Sequence, residues 1–330
     1  MESSSNYLNQ TDDSLIVSGE VVICWFLSVV TVFGNSLIIL AFITEKSLRS
    51  NPANLFILNL SVADFFIGAF SFPLYALWLM FGYWPFGEGV CKMWLIIDYS
   101  TCGVSVCGII LISLDRYWML KLKLKYLQFQ TTKRVTVMIL VSWAAVLPFY
   151  AIPILFWEKF RGEQIIDYSV YCDIESTSLP YTLVTIFVYF VIPLTIIAYL
   201  NSYVFKEIRH RTRINHNQSI HQVANNLTPI TTGYTSSRSD QQNVDNTRHR
   251  KAAITLAALV SAFVICWTPY SIVLIWSVIS DDNNSPAMIV WSFVLYLLWS
   301  NSAINPFLYA LTHLKIRGVF FKFFGLKCFK

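Results

Sequence analysis

Runs of about 20 apolar residues recur along the chain, each long enough for a helix to cross a hydrocarbon core of about 30 Å. The pattern predicts such helices over 18–43, 52–80, 88–121, 133–157, 179–206, 251–280 and 286–311. After them, Leu314 to Phe324 alternates aromatics with Lys315, Arg317 and Lys322, as suits a short helix lying in the headgroup plane. Ile214 to Thr247 is rich in Asn, Gln, Ser and Thr and reads as a disordered loop. The expected organisation is an all-α bundle of seven transmembrane helices at 18–311, preceded by a tail at 1–17. It includes a disordered loop at about 210–247, and an amphipathic eighth helix and tail follow at 312–330.

Composition agrees with lipid as the solvent. Apolar residues are 55% of the chain and charged residues 13%, against roughly 25% charge in a soluble domain. Met1 to Glu20 has no basic segment followed by an apolar core, so the first span is expected to serve as the insertion signal. Of the 24 Lys and Arg, 21 fall in the loops after spans one, three and five and in the tail. The positive-inside rule makes that side cytoplasmic and the N-terminus extracellular, which implies a multi-pass plasma-membrane protein. Asn9-Gln10-Thr11 is a glycosylation sequon on the outer side. The seven cysteines show neither zinc-type pairs nor dense disulfide spacing, and nothing in the chain implies a nucleic-acid partner.

Two acids lie at interior depth, Asp64 and Asp98. A charge there costs roughly 2.5–3.5 kcal/mol on insertion scales, and no Lys or Arg lies at comparable depth to pair with either. Asp98 stands seven positions after Cys91, about 10 Å down a helix rising 1.5 Å per residue. A protonated amine entering from outside would supply the missing cation, surrounded by the faces of Tyr99, Trp267, Tyr270, Tyr296 and Trp299. Asp64 faces polar groups on other spans, Asn35, Ser105, Asn301 and Asn305. That set suits either a sodium ion with water or a neutral carboxyl in a water network; no other cofactor is expected. Pro193, Pro269 and Pro306 lie inside spans five, six and seven, where each favours a kink about which a helix can pivot.

Gly34-Asn35, Leu60-Ser61-Val62-Ala63-Asp64, Asp115-Arg116-Tyr117, Trp143, Pro193, Cys266-Trp267-Thr268-Pro269-Tyr270 and Asn305-Pro306-Phe307-Leu308-Tyr309 follow one another on successive spans. In that order they resemble the rhodopsin-like G-protein-coupled receptors. Within these, Asp98 with Tyr270 and Trp299 resembles the aminergic group. Asp98-Tyr99, Leu111-Ile112-Ser113 and Ala198-Tyr199-Leu200-Asn201 resemble the third and fourth histamine-receptor subtypes.

The resemblance implies a Cys91–Cys172 disulfide, palmitoylation at Cys328, and a pocket to which Cys102 and Thr185 also contribute. It implies a heterotrimeric G protein as partner, of the inhibitory class, engaged by Asp115, Arg116 and Tyr117 with Leu124 inserted into it. Arg116 is expected to hold Asp115 in the inactive state, and activation to run through Phe263, Trp267, Pro193, Pro269, Asn305, Pro306 and Tyr309. Two departures stand out. Tyr189 occupies the position where those subtypes carry a Glu for the imidazole, and Tyr296 replaces a Trp. A phenol supplies no counter-charge near neutral pH, so recognition of an amine and recognition of histamine separate here.

Other classes fit less well. A transporter or channel would carry internal repeats or more ionisable pathway residues. An enzyme would need a catalytic constellation at membrane depth, whereas all five His lie in segments read as cytoplasmic. A receptor for a lipid or peptide is the remaining alternative.

Overall fold

The computed structural model describes the backbone of residues 2–162, 166–173, 179–225, 236–280, 287–323 and 325. Side chains are described from residue 18 onward, apart from 160–161, 211–212, 215–253, 255–256, 288 and 312 within those stretches. Among the described residues every regular element is helical. We label the long ones α1 (Glu2–Thr44), α2 (Asn54–Phe81), α3 (Gly87–Leu122), α4 (Thr132–Arg161), α5 (179–225), α6 (Ser236–Ile279) and α7 (Met288–Thr312), with α8 (Leu314–Phe323) after them.

Parts of α1 to α6 are long and apolar enough to cross a membrane. With 25 residues α7 also has the length, and it carries Ser300, Asn301, Ser302 and Asn305 among its apolar residues. Large apolar side chains point outward, Phe26, Phe187, Ile265 and Phe293 among them, while Asn35, Asp64, Ser105, Asn301 and Asn305 are buried between helices. A soluble protein shows the reverse, so the outer surface is one that lipid solvates. The central α3 packs on α2, α4 and α5, and α1 closes the ring against α2 and α7. α8 lies against α1 and α7, with Phe323 edge-on to Phe33 at 5.4 Å.

Two of the spans are not uniform α-helices. Ile67–Ser71 in α2 and Phe187–Val191 in α5 are π-helical turns, and a proline follows each, Pro73 and Pro193. In this register an N–H bonds the carbonyl five residues back, as that of Phe72 does with Ile67. The next donor would be residue 73, but proline has no N–H, so the Gly68 carbonyl loses its partner. Ser28 of α1 donates its hydroxyl to that carbonyl at 2.8 Å. Satisfaction of this kind is what makes a broken helix tolerable in lipid.

Within 210–247 the backbone is helical up to Asn225 and again from Ser236, and within 1–17 it is helical from Glu2. Extending a nucleated helix adds one hydrogen bond per residue fixed, so polar composition does not by itself end it.

Replacing Ser28 with Ala would leave the Gly68 carbonyl without a partner in a buried site. The expected cost is about 1–3 kcal/mol, seen as a lower Tm for the purified protein in nanodiscs. An unchanged Tm would show that another donor reaches the turn.

Candidate functional site

Asp98 projects from α3 with its side chain half-buried. Its Oδ1 accepts the indole N–H of Trp299 on α7 at 3.0 Å. Ser71, on the π turn of α2, stands beside the same carboxylate. No Lys, Arg or His among the described residues forms an ion pair with it. Trp299, only 1% exposed, is fixed edge-to-face by Phe72 at 5.0 Å and Tyr75 at 5.4 Å, and Tyr75 meets Tyr296 at 6.0 Å. An indole N–H only donates, so it orients the carboxylate without neutralising it, and oxygen lone pairs remain for a second donor.

The rest of the expected pocket divides into two groups. Tyr99 lies against Tyr150 of α4 at 5.4 Å, Tyr270 meets Trp291 at 6.2 Å, and Cys102 is buried in α3. Trp267 packs on Phe263 at 5.5 Å, and Phe263 on Phe190 at 6.1 Å, joining α6 to α5 near Pro193. The buried Thr185 hydroxyl has no hydrogen-bond partner.

Tyr189 lies in a cluster of aromatic rings. It is 8% exposed and wedged between α3 and α4, with Tyr150 at 4.7 Å and Phe149 at 4.9 Å. A Cβ on Gly103 would come within 3.0 Å of the Tyr189 ring and 2.8 Å of Val146. Glycine at this position is what lets the phenol lie flat on α3. Tyr189 also sits on the π turn of α5, which rotates it relative to a regular helix.

Deeper in the bundle, the fully buried Asp64 accepts the Ser105 hydroxyl at 3.2 Å and the Asn305 amide at 2.8 Å. Asn301 makes no direct bond to it, and the amide oxygens of Asn301, Asn305 and Asn35 are buried without partners. Asn35 instead donates to the Ser302 carbonyl at 3.2 Å, tying α1 to α7.

At the other end of α3, Asp115 is 1% exposed and accepts from Tyr126 at 2.6 Å and Gln130 at 2.8 Å. Arg116, expected to hold it, comes only to 3.9 Å through Nε. The reason is local. Lys123 adopts a left-handed φ of 50°, and the short helix Tyr126–Phe129 then returns the chain so that Tyr126 and Gln130 face Asp115. Tyr117 packs against Tyr203 at 4.8 Å, and the Tyr309 ring is 1% exposed. Leu124 on this turn is 89% exposed.

Cys91 and Cys172 form a disulfide. Beside it, the Trp84 N–H bonds the Val170 carbonyl at 2.8 Å, and Lys92 bridges Glu88 and Glu158 at 2.6 and 2.8 Å. Cys328 and the side chain of Asn9 lie outside the described residues.

Sequence reasoning missed Ser71, Phe72 and Tyr75 on α2, and Tyr126 and Gln130 after α3. Pro73 was the available signal for the first group, since a proline inside a span marks a rotated turn. The second group carries no pattern that distinguishes it from an ordinary polar loop.

A lipid-solvated helical bundle that holds an unneutralised acid towards one end and an Asp-Arg pair at the other has the build of a transmembrane receptor. The chain belongs to the seven-transmembrane receptors of the rhodopsin family, whose family model matches residues 34–309. That family consists of receptors and not enzymes, and its members are multi-pass membrane proteins. Among curated relatives, the human Histamine H4 receptor is 29% identical over 95% of this chain and 94% of its own length. The 5-hydroxytryptamine receptor 1E of Cavia porcellus is 28% identical over 91% of this chain and 92% of its own. The human 5-hydroxytryptamine receptor 1B is 25% identical over 99% and 91%.

Because Tyr189 is enclosed by Tyr150, Phe149 and Val146, Tyr189→Glu would bury an acid with no cation beside it. A drop in Tm and surface expression is expected, of the size of an unpaired buried charge, several kcal/mol, whereas Tyr189→Phe keeps the ring and should melt within error of wild type. A Tyr189→Glu protein as stable as wild type would show that residue 189 has an open path to the pocket.

Proposed function

We propose that this receptor detects a small protonated amine through Asp98 and passes the signal to a heterotrimeric G protein. The observation that carries the reading is the state of Asp98. It is a membrane-depth carboxylate oriented by one indole N–H, lacking a cationic partner among the described residues, with Trp299, Tyr75, Phe72 and Tyr296 packed behind it. An ammonium group entering there forms a charge-assisted hydrogen bond in a medium that strengthens it, with ring faces adding about 0.5–2 kcal/mol each. The amine names carried by the relatives, histamine and 5-hydroxytryptamine, favour the same chemistry.

In this reading the N-terminus and the disulfide are extracellular, and the basic loops are cytoplasmic. Amine binding adds a cation to the existing Asp98–Trp299 contact between α3 and α7 and shifts the Phe190–Phe263–Trp267 stack. α6 then pivots at Pro269, opening the cytoplasmic end where exposed Leu124 meets the G protein, with inhibitory coupling as the expected class. The oxygen set around Asp64, with Ser105 and the unpartnered oxygens of Asn301 and Asn305, fits a small hard cation such as sodium. Bound there, such an ion would neutralise Asp64, and these side chains would hold it.

The test is a monoamine panel, histamine and 5-hydroxytryptamine included, read through G-protein activation at matched surface expression. Asp98→Asn keeps the shape and removes the charge. It is expected to lower the potency of every active amine by a hundredfold or more, as for a charged pair losing about 3 kcal/mol. Undiminished potency would remove Asp98 from the site and favour a lipid or peptide ligand.

A second expectation concerns the resting state. The stretch Thr247-Arg248-His249-Arg250-Lys251 offers Arg116 no acid, and Asp115 is engaged mainly by Tyr126 and Gln130. Basal G-protein activation above that of untransfected cells is expected. A basal signal equal to theirs, at matched surface expression, would count against so weak a lock.

A further inference from the structure

We infer that the receptor has a second cation subsite, built around Glu20 between α1, α2 and α7, and that its preferred ligand is an amine with a second basic nitrogen. The inference rests on the assignment of the first nitrogen to Asp98. Glu20 lies near the start of the described part of α1, half-buried. It accepts the hydroxyl of Ser292 on α7 at 3.2 Å, and Ser292, only 1% exposed, is 3.3 Å from the Tyr75 hydroxyl. No basic side chain among the described residues pairs with Glu20, and Lys92 is held by Glu88 and Glu158. A carboxylate has about four acceptor sites, and a single neutral hydroxyl fills one of them.

The surroundings are those of a cation site. Tyr75 stands between Trp78 at 5.8 Å and Tyr296 at 6.0 Å, so aromatic rings flank the hydroxyl pair that leads to the acid. Tyr75 also touches Trp299, the residue that donates to Asp98. Two under-partnered carboxylates are thus joined by an unbroken path, Glu20–Ser292–Tyr75–Trp299–Asp98, along one wall of the bundle. A ligand with one ammonium satisfies half of this arrangement. A diamine, or an amine bearing a basic heterocycle, satisfies both ends and needs no acid at residue 189, where Tyr189 supplies none.

The experiment compares α,ω-diaminoalkanes of increasing length with alkylamines of the same length, and histamine with phenethylamine. All are read through G-protein activation in wild type, Glu20→Gln, Glu20→Asp and Asp98→Asn at matched surface expression. Wild type should prefer the dibasic member of at least one matched pair by about ten- to a hundredfold, the range of a charge-assisted hydrogen bond. Glu20→Gln should abolish that preference while leaving the monobasic amine within twofold, and Glu20→Asp should restore part of it. Equal potency of dibasic and monobasic members in wild type would overturn the second subsite, as would an equal loss for both in Glu20→Gln. Insensitivity of both members to Asp98→Asn would instead overturn the first anchor, and with it the inference built on it.

Discussion

An acid placed among lipid-solvated helices must be satisfied from within the bundle or by something that enters it, and much of this architecture follows from that constraint. For Asp64 the satisfaction is internal. Ser105 and Asn305 reach it from α3 and α7, so the three helices meet at one buried carboxylate. For Asp98 the internal supply stops short, with an indole N–H that aims the group and no cation that neutralises it. Desolvation makes such a group costly when empty and strongly attractive to a cation when accessible. The same low dielectric that penalises the unliganded state would supply the driving force for binding the proposed amine.

The π turns serve this arrangement. An ordinary helix through 67–71 would present a different face of α2 to the bundle. The extra residue in the turn rotates Phe72 and Tyr75 onto Trp299, and Trp299 is thereby locked against Asp98. The carbonyl set free by Pro73 would be untenable in lipid without Ser28, so α1 supports the pocket from behind through a single hydroxyl. In α5 the corresponding turn carries Tyr189 into the α3–α4 groove, where Gly103 makes space for it.

Hydrophobic run length made the seven helices legible in the sequence, because crossing a bilayer imposes a minimum that few other structures share. The unpaired acids were legible for a related reason, since charge at that depth stands out against an apolar background. What the sequence did not disclose depends on rotation and on chain reversal. A π turn shifts every later side chain by about 100° relative to the 3.6-residue period, so the contact of Tyr75 with Trp299 could not be read from spacing. The partners of Asp115 were hidden because the left-handed Lys123, a conformation that its residue type does not announce, turns Tyr126 and Gln130 back onto α3.

That reversal bears on signalling. Asp115 and Arg116 are neighbours in sequence, yet the acid is taken by two residues of the following loop and the guanidinium lies 3.9 Å from it. A hydrogen bond from a phenol and another from an amide hold the carboxylate without demanding the arginine. Arg116 is then restrained by weak contacts, including one to the Met119 sulfur at 3.8 Å. Restraint of this end falls to the loop that also displays Leu124 to solvent. A partner that engages Leu124 pulls on the same short segment that anchors Asp115. If Leu124 meets the G protein as proposed, binding and release of the α3 end would be coupled through this short segment.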